Sequence, residues 1–161
     1  MQSKLGPFLA AALTAASLWA PGARAADAMT RRVLSLAEAK AVITAAADAA
    51  KKNNAGGSIA VVDDGGHLLA LERLDNTFPA AAPISIEKAR SAAVFRKPTA
   101  DFENAVKNGR VSLIANQQLL PLEGGVPIVV GGQVIGAVGV AGAMSAQQDD
   151  DIARAAAGSL Q

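Results

Sequence analysis

The chain has 161 residues, 15 Lys and Arg against 14 Asp and Glu, one histidine and no cysteine. Without cysteine, thiolate metal sites, thiol catalysis and disulfide support are excluded, and the hydrophobic core alone must hold the fold. A near-neutral charge, no tyrosine and only 3% aromatic residues exclude a nucleic-acid surface, which needs a basic face and stacking rings.

The first 25 residues have the layout of a secretory signal peptide. Lys4 precedes an alanine-rich apolar run, Leu5 to Ala20, Pro21-Gly22 breaks it, and Ala23-Arg24-Ala25 puts small residues at the cleavage positions. Cleavage is expected after Ala25, with Ala26-Asp27-Ala28 as a second site. A membrane anchor is the competing reading, but Pro7 and Pro21 leave barely enough apolar length to span a bilayer. No arginine pair precedes the apolar run, so the general secretory route is favoured, with a periplasmic or secreted product. Loss of Lys4 and Arg24, with no acid, turns the formal charge from +1 to −1. Residues 26–161 are then one domain, and no later run is apolar enough to cross a membrane.

Ser35 and Glu38 form a capping box that opens a helix running to about Asn53, with Leu36, Ala39, Val42, Ile43 and Ala46 on its apolar stripe. Ser58–Asp63 is a short β-branched strand. Asp64-Gly65-Gly66 supplies a turn, and His67–Leu74 returns as a second strand. After a loop containing Pro79, a second helix is expected over Ser85–Phe95, with Ile86, Ala89, Ala93 and Val94 facing inward. Pro98 ends it, and Thr99 is expected to cap a third helix, Ala100–Lys107. Residues 111–121 read as a short helix or an irregular segment. Val126–Val130 and Gln133–Ala141 flank Gly131-Gly132 as a second hairpin. Ser145 and Gln148 form another capping box, and Asp149, Asp150 and Asp151 suit the start of the helix that follows. The order α-β-β-α-α-β-β-α with two hairpins defines an α+β fold, an antiparallel sheet with packed helices.

Gly136, Gly139 and Gly142 invite comparison with a dinucleotide fingerprint, but the spacing and the surrounding elements are wrong, so they read as places of close backbone approach. His67, the lone histidine, sits at a strand start after two glycines, either as an ordinary surface residue or as a ligand. Lys88, Arg90, Arg96 and Lys97 gather positive charge around one helix and its exit. They suit carboxylates such as haem propionates or small organic acids, or they form a solvated face with Glu87 as a partner. Glu123 either accepts from Arg90 or Arg96, binds a cation, or caps its own turn.

Three segments taken together, VVDDGGHLLALERLD at 61–75, SIEKARSAAVFRKPT at 85–99 and PLEGGVPIVVGGQVIGAVGVAGAMSAQQDDDIARAA at 121–156, carry a resemblance. The chain resembles the GlcG/HbpS-like proteins, a family that also supplies the C-terminal domain of PduO-type proteins. The resemblance implies a profilin/PAS-like sheet and self-assembly into a homo-oligomer, commonly an octamer. It also implies haem binding, in the service of haem capture, sensing or oxidative degradation. An accessory or enzymatic role on a small carboxylate such as glycolate, without haem, is the alternative. The adenosyltransferase domain of PduO-type proteins is absent, so cobalamin adenosylation does not carry over. By position in the family pattern, His67 is the candidate iron ligand and Thr99 the second; Lys88, Arg90 and Arg96, by their charge, are candidate propionate partners. Gly139-Val140-Ala141-Gly142 lacks the serine that many relatives have before the last glycine.

Overall fold

The computed structural model describes residues 30–160, so the expected leader and its expected cleavage sites lie outside the described residues. Eight principal elements follow in the expected order: α1 (Leu36–Lys52), β1 (Ser58–Asp63), β2 (Leu68–Arg73), α2 (Ala81–Phe95), α3 (Thr99–Lys107), β3 (Gly125–Val130), β4 (Gln133–Ala141) and α4 (Ala146–Ala157). A 3-10 turn, Val111–Ala115, occupies the ambiguous stretch. All strand pairs are antiparallel, and the sheet order is β2-β1-β4-β3. The α+β expectation therefore holds.

Strand alternation sorts the core into two layers. Ile59 pairs with Val140 and Val61 with Val138, and these side chains pack with Val42, Ile43 and Ala46 of α1 and Ile152, Ala153 and Ala156 of α4. Full burial of each large aliphatic side chain is worth about 1.5–3 kcal/mol. The opposite face is built from small residues: Ala60, Val62 and Ala137 meet Ala89, Ala92 and Ala93 of α2. Gly139 and Gly125 allow this closeness. A Cβ at Gly139 would lie 2.1 Å from the Ser85 carbonyl oxygen, and one at Gly125 only 2.3 Å from that of Lys88. Gly139 is architectural, as its spacing implied, and Gly125 serves the same close packing.

Several local expectations are corrected. α2 begins at Ala81, with Pro83 inside its first turn, where a missing N–H costs nothing because that group has no helical partner. Thr99 is the first residue of α3; Pro98 holds the cap position and makes no side-chain cap bond. Ser35 and Glu38 form the full capping box. At α4 only half the box exists: Ser145 Oγ accepts from Gln148 N, while the Gln148 side chain accepts from Met144 N. Leu36 and Val94, expected in the core, are 52% and 43% exposed.

The three acids at the start of α4 do different things. Asp149 turns inward to Lys88, Asp150 pairs with Arg154 at 2.5 Å, and Asp151 accepts from Gln147 Nε2. Helix-end electrostatics alone does not describe Asp149.

Candidate functional site

His67 stands at the β1–β2 turn, and the turn is held by Asp63. Backbone bonds run from Asp63 N to the His67 carbonyl (2.9 Å) and from Gly66 N to the Asp63 carbonyl (3.0 Å). Asp63 Oδ1 also accepts from the amides of Gly65 and His67, each at 2.9 Å. The His67 ring lies against that carboxylate, with Nδ1 3.2 Å from both oxygens, and is 82% exposed. Burial opposes ionisation of Asp63, yet the hydrogen bonds from His67 and Gly65 outweigh it and hold the carboxyl below the usual aspartate range. Arg31 pairs with the neighbouring Asp64, tying the entering chain to the same turn.

α2 forms the next wall. Arg90 donates through Nε to the Gly66 carbonyl at 3.3 Å and through Nη1 to Glu87 at 2.5 Å. Gly65, Glu87, Arg90, Val94, Gln117 and Gln118 line a cleft of about 360 Å³. Ser91 Oγ accepts from Leu120 N at 2.8 Å and so ties the 116–120 segment back to α2. The cleft thus joins the GGH turn, one face of α2 and two amide side chains. A second groove of about 480 Å³, between α1 and β2, contains none of the candidate residues.

The five candidates do not converge. His67 abuts the cleft through Gly65, and Arg90 lines it. Arg96 is exposed at the end of α2 and is not among the lining residues. Lys88 is buried: its ammonium donates to Asp149 Oδ2 at 2.8 Å and to the Val140 carbonyl at 2.9 Å. Thr99 is fully buried and accepts from Gly125 N at 2.8 Å. In this conformation neither Lys88 nor Thr99 presents a polar atom to a ligand, because Asp149 and Val140 enclose the Lys88 ammonium and Gly125 of β3 meets the Thr99 hydroxyl. Glu123 forms no ion pair with Arg90 or Arg96 among the described residues; its amide donates to Glu103 at 2.6 Å. Burial works against the charged form of Glu103, but Lys107 and the Glu123 amide outweigh it and lower its pKa. Among the described residues no group of three or more His, Asp or Glu is placed to hold a metal ion, and no helix is long and apolar enough to cross a membrane.

An antiparallel sheet with helices on both faces makes this an α+β protein. The family model described as "Haem degrading protein HbpS-like" matches residues 34–158. Protein GlcG of Escherichia coli K12 is 55% identical over 111 residues, covering 69% of this chain and 83% of its own. A crystal structure of Streptomyces reticuli HbpS, in a doubly substituted form, superposes with a TM-score of 0.77 at 31% identity, covering 95% of this chain and 99% of that one. A PduOC:haem complex shares the fold, with a TM-score of 0.70 at 22% identity, covering 79% and 94%. The chain belongs to the HbpS-like family.

The donor set suits haem chemically. An outward imidazole is of the kind that ligates haem iron, while the Arg90 guanidinium would have to exchange Glu87 for a propionate to meet one.

Proposed function

We propose that this protein is an exported, self-assembling haem-binding member of its family. The observation that carries the reading is the lone histidine, held by its ring Nδ1 and open at Nε2, beside a cleft walled by Arg90. His67 would ligate the iron, and Arg90, exchanging Glu87 for it, would face a propionate; Arg96, outside the cleft, is the second cation to be tested. Bound haem would supply the redox chemistry needed for sensing or for oxidative breakdown. The chain's own part is to hold the macrocycle, orient the imidazole and neutralise the carboxylates. Haem added to the purified protein is expected to give a shifted Soret band, and His67→Ala to alter it. No shift with the wild-type protein would sink the cofactor reading, whereas an unchanged spectrum in the variant would sink only the ligand assignment.

The size of the cleft, about 360 Å³, favours a second reading: a small carboxylate such as glycolate, bound without haem by Gln117, Gln118 and an Arg90 that exchanges Glu87 for it. In the same experiment, a melting temperature raised by 2-hydroxy acids in a protein indifferent to haem selects it.

Export rests on the leader pattern of residues 1–25. The mass of the protein recovered from the producing cells is expected to lack those residues; a full-length mass in the mature fraction would overturn it.

A further inference from the structure

Asp63 does more than close its turn. Its Oδ1 already takes two amide N–H groups, those of Gly65 and His67. An ionised carboxylate offers only acceptor positions. Nδ1 of His67, 3.2 Å from each oxygen, must therefore bring the proton. In the neutral ring the unshared pair is then left on Nε2, at the ring's opposite edge, which has no protein partner among the described residues.

The adjacent glycines support the same arrangement for different reasons. Gly66 needs its positive φ of 83°, and a Cβ there would lie 2.8 Å from Arg90 Cγ. Gly65 has no positive φ to explain it. A Cβ at Gly65 would instead lie 3.0 Å from both Nδ1 and Cε1 of His67 and 3.2 Å from Asp63 Oδ1. What Gly65 provides is room for the ring to lie on the carboxylate.

We propose that Asp63 is a positioning residue that locks His67 in the Nδ1–H tautomer and presents Nε2 outward as an electron-pair donor. The identity of the acceptor, a haem iron, rests on the function proposed above; the tautomer does not. A carboxylate behind a ligating imidazole fixes the ring's orientation and raises its basicity. A more basic donor favours the ferric over the ferrous state.

Asp63→Asn is the discriminating variant. The asparagine carbonyl still accepts from the two amides, which fill it, and its NH₂ group then meets Nδ1 and favours the Nε2–H tautomer. The same isosteric change in a Ser-His-Asp triad keeps the geometry and leaves the wrong tautomer. Nitrogen-15 NMR of the haem-free protein in mildly alkaline buffer is expected to show Nδ1–H in the wild type and Nε2–H in Asp63→Asn. Gly65→Ala, which retains Asp63, is expected to displace the ring and mix the two forms. With haem, Asp63→Asn is expected to lose about 10–100-fold in affinity and to raise the midpoint potential. An Nε2–H ring in the wild type, or an unchanged tautomer in Asp63→Asn, overturns the proposal. The expected tautomer switch in a protein whose haem binding ignores His67→Ala upholds the lock and overturns the ligand role instead.

Discussion

Arg96 caps α2 in the left-handed region, with φ 54° and ψ 36°, and its amide and that of Lys97 close the helix onto Ala93 and Ala92. Glycine is the residue such a position ordinarily takes, because a Cβ there is strained. Arg96→Gly is therefore expected to stabilise the fold by about 0.5–1 kcal/mol, a net of relieved strain against added unfolded-state freedom. Urea unfolding checks this, and haem titration of the same variant reads the cation's role. A more stable protein with weaker haem binding fits a propionate partner; unchanged binding removes Arg96 from the site. The exposed setting of His67 was legible in Asp64-Gly65-Gly66, since a turn there leaves the next side chain at an edge. Asp63 was not singled out, because it reads as the last residue of a strand. The signal was an aspartate four residues before a histidine across a tight glycine turn, a spacing that brings carboxylate and ring together.

At the level of elements, the sequence carried most of the fold where the determinants are local. Ser35 with Glu38, the β-branched run of β1, and Gly131-Gly132 between apolar strands each act within a few residues, and each appears where it was expected. Local chemistry misled where it was ambiguous. The second helix was expected to start at Ser85, yet Ala81 and Ala82 are good helix formers and Pro83 fits a first turn. Val94 was assigned inward by periodicity, but the sheet beneath α2 is lined by Ala60, Val62, Ala137 and glycines that let the helix sit close. The helix therefore seats on Ala89, Ala92 and Ala93, and Val94 is turned toward the cleft. Which face of α2 meets the sheet depends on residues of β1 and β4, far away in sequence, so no pattern within α2 determines it.

Across the whole molecule the same limit explains Lys88. In a helix rich in exposed charge it looked like one more member of a basic cluster, and only the folding of α4 over the sheet end gives it Asp149. That pair is 4% and 9% exposed, and Asp149 also accepts from Ala143 N at 2.9 Å. It links α2, on one side of the sheet, to α4, which packs with the core of the other. Lys88 and Arg90 lie two positions apart on α2, so anchoring the first inward helps aim the second at the cleft. Breaking a buried pair from one side leaves a desolvated charge without its counterion, at a cost of about 3–5 kcal/mol. Lys88→Met is expected to lose that much in urea unfolding. Adding Asp149→Leu should recover part of the loss, because the stranded carboxylate is gone and the two changes are coupled. Haem titration separates this role from the propionate contact expected of Lys88 as a member of the basic cluster. A structural tie lowers the unfolding midpoint of Lys88→Met and leaves haem affinity close to that of the wild type while the protein stays folded. A direct contact would weaken haem binding in Lys88→Met and in the double variant alike, with the recovered stability bringing no recovery of affinity.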